Sequence, residues 1–174
     1  MRNLNTVLAV SDSDLLIHLA KLNKLEILNS QFSKIYVSKE IEKETVIQGI
    51  ELKKEDAYIL KIFFGQGLMH VETVDEQEIK YIMNKYNIHK GESSILFLAK
   101  KFKVSFFLTN ETKVRKIART EGFNVVGTIG IILKSYDLGQ LTKEHVNKLF
   151  NEIQNNPITY RIHPILIKKA LKRL

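Results

Sequence analysis

Five short apolar runs, each separated from the next by a longer stretch of helical periodicity, constrain this chain more than any other feature. The runs are Leu4–Val10, Lys34–Val37, Leu68–Val74, Val104–Leu108 and Asn124–Val126. Around them, apolar residues recur at helical spacing over Asp14–Leu22, Lys39–Gln48, Leu52–Phe64, Asp75–Tyr86, Glu92–Phe102, Glu111–Glu121 and Thr128–Tyr136. Strands that alternate with helices are joined by crossovers, which make neighbouring strands parallel and cover both sheet faces. The expected fold class is therefore α/β with a mostly parallel central sheet. After Gly139 only helical patterns remain, Thr142–Gln154 and Pro164–Leu174, joined by Asn155-Asn156-Pro157. We expect a domain over 1–139 and a C-terminal helical extension, 140–174, packed on it. The last helix gathers Ile167, Ala170, Leu171 and Leu174 on one face, with Lys168, Lys169, Lys172 and Arg173 around the rest. That face either docks a partner or, as is more usual, packs on its own domain.

At 174 residues, 44% of them apolar, the chain is long enough for one domain with a sizeable core. It has no Cys, which excludes a disulfide framework, Cys-ligated zinc, iron–sulfur clusters and a thiol nucleophile. Any chemistry must come from carboxylates, hydroxyls, His or Lys. The apolar run near the start, Val7-Leu8-Ala9-Val10, is too short for a leader, and the longest uncharged stretch, Gly122 to Leu133, is too short to span a bilayer. The expectation is a soluble, cytoplasmic protein. Net charge is +8, and residues 85–119 hold nine basic side chains against two acidic ones. This asymmetry fits a polyanionic partner, and equally a solvated Lys-rich surface.

Ligands of open parallel sheets bind beyond the carboxyl ends of the strands. Strand one there runs into Ser11-Asp12-Ser13-Asp14, and strand four into Thr109-Asn110-Glu111. A carboxylate in such a place loses solvation, which raises its pKa unless a cation or a helix N-terminus compensates. Either Asp12 or Asp14 could be only the N-cap of the following helix, and Asp14 reads first in that role. Glu92 opens the helix GESSILFLAKKF, with Ile95, Leu96 and Ala99 on its own stripe, so it should face the sheet end. Glu44 lies three residues from both Ile41 and Ile47 and leans inward on the same logic, whereas Glu42 reads as solvent-facing. Each acid also has a plainer reading, as a first-turn acid favoured by the helix dipole or as a surface ion pair. Several carboxylates at one cleft repel one another unless a cation sits among them, and Mg²⁺ or Mn²⁺ is the usual one. The five His residues show no metal-ligand spacing and read as surface or packing residues.

In this order the blocks resemble the PIN-domain family, particularly VapC-like toxin ribonucleases. VLAVSDSDLLIHLAKL is similar to the family's first acidic motif, with Asp12 in the metal-ligand place. YVSKEIEKETV puts Glu44 in the second acidic place, with Glu40 close enough to leave the register open. GESSILFLAKKF puts Glu92 in the third, and FFLTNETKVRKIARTEGFNVVGTIGIIL is similar to the long last block. There the chain departs from the pattern, carrying Asn110 where the family usually has Asp, with Glu111 next to it. An amide oxygen ligates a hard cation without bringing charge, so the metal would be held more weakly unless Glu111 substitutes; alternatively Asn110 is an N-cap.

The resemblance implies a PIN-like three-layer α/β/α sandwich and metal-dependent endonucleolytic cleavage of single-stranded RNA. It implies Asp12, Glu44 and Glu92 as catalytic residues, and Asp12, Glu92, Asn110 and Glu111 around one or two Mg²⁺ or Mn²⁺ ions. Ser13, Thr109, Lys113 and Arg115 are the candidate substrate contacts, and Arg119 reads equally as helix surface. A small antitoxin and a homodimer are the partners it suggests. Two other readings compete. Asp12-Ser13-Asp14 also resembles the nucleophile motif of haloacid-dehalogenase-like phosphatases, but Leu16 stands where that family expects Thr or Val, and no Asp occurs between Asp75 and Asp137. A PIN scaffold that has lost its fourth carboxylate would instead serve as a binding module for RNA or protein.

Overall fold

A computed structural model describes residues 6–174. Five strands form one sheet in the order β3-β2-β1-β4-β5: β1 (Leu8–Ser11), β2 (Lys34–Ser38), β3 (Met69–Glu72), β4 (Phe106–Leu108) and β5 (Asn124–Val126). Every pairing is parallel, with Ala9 opposite both Ile35 and Phe106. The central strand β1 is apolar on both faces because both are covered; Ala9 and Val10 are fully buried. Positions 4 and 5 of the expected first strand lie outside the described residues, and β1 runs one residue further, to Ser11.

Strand order explains the layers. The chain moves outward from β1 to β3, then returns past β1 to β4 and β5. Right-handed crossovers place the helices of the outward and return journeys on opposite faces. Helix α1 (Ser13–Lys21) packs on α4 (Glu55–Phe64), and their contact includes the ion pair Lys21–Asp56 at 3.2 Å. Helix α5 (Glu76–Tyr86) packs on α6 (Lys90–Lys101), which lies across β1 and β2. Helix α7 (Thr112–Thr120) leads into β5 and packs against it, and α8 (Thr128–Asp137) returns to α1. The result is a three-layer α/β/α sandwich.

Beyond Gly139, α9 (Lys143–Asn155) packs on α8, the short α10 (Pro157–Tyr160) on α9, and α11 (Pro164–Leu171) on both α8 and α9. Ile167 and Ala170 are buried, so the apolar face of the last helix packs within the chain.

One helix differs from its periodicity in a way that matters for the site. The stretch expected as a single helix, Lys39–Gln48, is α2 (Lys39–Glu42), a π-helical segment (Lys43–Ile47) and the start of α3 (Gln48–Glu51). The buried Thr45 hydroxyl donates to the Ile41 carbonyl at 2.7 Å, within this widened turn. A π turn shifts the register of every following side chain, so Ile41 is buried while Ile47, expected on the same stripe, is 49% exposed. The helix expected from Leu52 starts at Glu55, because Lys53 adopts a left-handed φ of 54°. A six-residue 3-10 helix, Leu25–Ser30, and α10 had no signal in the pattern.

Candidate functional site

The reversal of strand order falls between β1 and β4, so their carboxyl ends open a crevice that neither crossover covers. Asp12 and Thr109 stand there side by side. The Asp12 N–H donates to the Leu108 carbonyl at 3.0 Å, carrying the ladder one residue beyond β1. Its side chain is the N-cap of α1, with Oδ1 accepting the Leu15 N–H at 2.9 Å. This corrects the expectation for Asp14, which lies half-buried inside the first turn.

Asp12 is only 5% exposed. Burial pushes its pKa up to about 7; the Thr109 hydroxyl and the Leu15 amide oppose the shift, while the charges of Asp14 and Glu92 add to it. Thr109, fully buried, is held by accepting the Glu111 N–H at 3.1 Å, which leaves its hydroxyl proton for Asp12. Arg115 of α7, half-buried, feels the charge of Asp12, and its Nη1 donates to the Thr109 carbonyl at 2.7 Å. Burial, and then Arg119, lower the Arg115 pKa, and Asp12 opposes them.

The second wall is the start of α6. The Glu92 Oε2 accepts the His89 N–H at 2.8 Å, so this carboxylate is half-buried and fixed by the helix it begins. The Ser94 hydroxyl donates to Ser38 Oγ at 2.6 Å and so ties α6 to the end of β2. Gly91 has no side chain where one would meet Ile41 Cδ1 at 3.1 Å and Glu44 Oε2 at 3.6 Å. Glu44 thus reaches the residue before Glu92, but from the π-helical segment and as an exposed side chain, while Glu42 is half-buried. The expected contrast, Glu44 inward and Glu42 outward, is reversed in burial, because the π turn breaks the helical stripe on which it rested. Glu40, the other register, is half-buried: its Oε1 lies 3.9 Å from Lys90, which also pairs with Glu76, and its Oε2 is buried with no hydrogen-bond partner among the described residues.

Asn110 is used fully elsewhere. Its Oδ1 accepts the Thr128 N–H at 2.9 Å, and its Nδ2 donates to Thr128 Oγ1 at 2.9 Å and to His18 Nδ1 at 3.1 Å. The side chain clamps the start of α8 to α1 and does not cap α7, whose N-cap position is Glu111. Glu111 is exposed and makes no side-chain cap. Ser13 is buried in the first turn of α1. Lys113 is exposed, and its ammonium donates to the Asn87 carbonyl. The pattern did not single out His18 and Thr128. Burial keeps the His18 pKa low, so its Nδ1 is free to accept, and its ring meets Tyr160 edge-on at 5.2 Å. The available signal was the place of His18 on the apolar stripe of Leu15, Leu19 and Leu22, where an imidazole needs a partner.

Among the described residues no group of three or more His, Cys, Asp or Glu side chains is gathered closely enough to hold a metal ion. A divalent cation bound through one or two carboxylates and water needs less than that. Asp12 and Glu92 fit such a donor set: each has one oxygen fixed by a backbone N–H, and the charge of Glu92 bears on Asp12. Asp12 and Glu92 thus stand at the switch point of an all-parallel α/β/α sandwich, each carboxylate held by a backbone N–H. The family profile described as PIN domain matches residues 8–174, and the chain belongs to that family, whose function is in general nuclease-like. Among solved structures, PAE2754 from Pyrobaculum aerophilum is similar at 15% identity and a TM-score of 0.49, over 70% of this chain and 92% of that one. No curated protein sequence matches. Among the described residues no helix is long and apolar enough to cross a membrane.

Proposed function

We propose that the protein is a metal-dependent endoribonuclease that cleaves single-stranded RNA, similar to the VapC-like toxins, with Mg²⁺ or Mn²⁺ as cofactor. One observation carries this reading: Asp12 is a buried carboxylate at the switch point, within reach of the charges of Asp14 and Glu92, and itself acting on the half-buried Arg115. Asp12 and Glu92 would hold the cation, and Glu44 extends the acidic wall at Gly91. When bound, the cation supplies a water of lowered pKa and neutralises charge at the phosphate. Thr109 orients the Asp12 carboxylate, while Arg115 holds Thr109 and has its remaining donors for a phosphate oxygen. In this reading Asn110 is a positioning residue and Glu111 lies at the rim. The test is incubation with labelled single-stranded RNA in Mg²⁺, Mn²⁺ or EDTA, with Asp12→Asn purified identically. Cleavage that requires metal and disappears in the variant supports the proposal; cleavage that survives the substitution or EDTA refutes it.

Asn110 favours a second reading. Its only carbonyl oxygen accepts from Thr128, so the fourth acidic place contributes no charge to the cleft. A scaffold that binds RNA or protein without cutting would be inert in the same assay and gain activity with Asn110→Asp. The proposal also includes a homodimer and a small antitoxin. The exposed Ile47, Leu52, Tyr58 and Ile62 of the α3–α4 region offer an apolar surface for self-association.

A further inference from the structure

A groove of about 1190 Å³ runs along the β5 edge of the sheet, next to the acidic cleft: Asn110 and Arg115 line its near end, while Asp12 and Glu92 do not line it. Its floor is aliphatic, built from Val125 and Val126 of β5, Ile129 of α8, and Ile162 and Leu166 at the start of α11. Arg119, Lys134, Arg161 and Lys169 also line it, and none of them forms a salt bridge among the described residues. Asp137, the one acid in the lining, is already paired with Arg173.

Cations gathered around an apolar floor repel one another and lack the anions that would complete them. The complementary occupant carries carboxylates on either side of an apolar stripe. We infer that this groove docks an acidic amphipathic helix of a partner protein. A strand would gain little, since β5 has only three residues to offer a ladder. A helix about 10 Å across fills the groove with roughly two to three turns, and apolar residues at i, i+3, i+4 and i+7 would meet its floor. Single-stranded RNA fits less well because it stacks on exposed aromatic faces. Of the three rings in the lining, Phe32 and Phe106 pack edge-to-face on each other at 5.7 Å, and His163 caps α11 by accepting the Ile165 N–H at 3.2 Å. A concave groove also cannot lie flat on a membrane.

The probe is a fluorescent designed peptide with Leu at those four spacings and Glu on its flanks, read by anisotropy against a scramble of identical composition. Leu166, 50% exposed, and the exposed Lys169 are substituted as Leu166→Asp and Lys169→Glu, with circular dichroism to confirm the fold. Burying one Leu side chain corresponds to about tenfold in affinity or more. The ordered peptide should therefore bind at least about tenfold tighter than the scramble, and each substitution should remove most of that margin. RNA cleavage should remain as in the unsubstituted protein. Equal binding of the scramble, or full binding by a folded Leu166→Asp protein, would overturn the inference. So would displacement of the peptide by oligouridylate together with weaker RNA binding in Leu166→Asp, which would make the groove a nucleic-acid track.

Discussion

Replacing Asp12 by Asn tests the electrostatics of the cleft without any substrate. The carboxyl group has a pKa of 3.8 when solvated and about 7 in the folded protein. Between those values the folded state binds the proton and the unfolded state does not, so stability falls as pH rises through the interval and is level above it. About three units at 1.36 kcal/mol each amount to a penalty on the order of 4 kcal/mol above pH 7. Asn keeps the cap on Leu15, since Asn and Asp are near-equal N-caps, and it carries no charge to bury. In urea denaturation with a chelator present, Asp12→Asn should match the parent near pH 4 and exceed it by about 2–4 kcal/mol at pH 8. For a chain of this length that difference is a rise in Tm on the order of 5–15 °C. Adding Mg²⁺ or Mn²⁺ at pH 8 should close most of that gap, stabilising the parent by about 2.7 kcal/mol at one hundred times Kd and the variant hardly at all. A difference that stays constant from pH 4 to 8, or a parent more stable than the variant in chelator at pH 8, would refute the argument that Asp12 is an uncompensated buried acid.

Two further substitutions probe the frame around the cleft. Asn110→Asp removes the donors to His18 and Thr128 and puts a carboxylate about where Nδ2 now meets His18 Nδ1 at 3.1 Å. The His18 pKa, now held down by burial, should rise, as followed by NMR titration of its ring protons; an unmoved titration would mean that the side chain had turned towards the cleft. Gly127→Ala would bring a Cβ within 2.8 Å of Asn110 Oδ1 and 3.0 Å of Arg115 Nη1. Overpacking of this kind costs about 1–3 kcal/mol, and because Arg115 would have to leave Thr109, RNA cleavage should fall more steeply than stability; parent-like cleavage and melting would show that the clamp yields freely.

Much of the fold was legible because its signals are local and repeated. Ala9-Val10, Ile35-Tyr36-Val37 and Phe107-Leu108 are continuous apolar runs, the mark of strands covered on both faces, and the helices between them leave few topologies. The departures occur where local periodicity is overruled. Ile41, Glu44 and Ile47 fall on one stripe of an ideal helix, yet the π turn sends Ile47 to solvent and Glu44 with it. Nothing in the spacing of KETVI reveals that turn, because it depends on how Thr45 bonds back to Ile41 and how the following segment meets α4.

The site shows the same division. Asp12, Glu92 and Thr109 could be read from their places at strand and helix ends, since the cleft of such a sheet is set by topology. Asn110 could not, because its partners, His18 and Thr128, lie 92 and 18 residues away along the chain. From the sequence it is a carboxylate lost to the metal. In the structure its amide accepts one backbone N–H while donating to a hydroxyl and to an imidazole. An ionised carboxylate makes only the first of these bonds, and would force His18 either to take a proton against the burial that keeps it neutral or to give up its contact. The amide therefore matches the neutral His18 beneath it. The substitution that lowers the negative charge of the cleft is also the one that closes the hydrogen-bonding between α1, β4 and α8, so the pair Asn110–His18, rather than position 110 alone, is the unit to exchange in a test of the proposed cleavage.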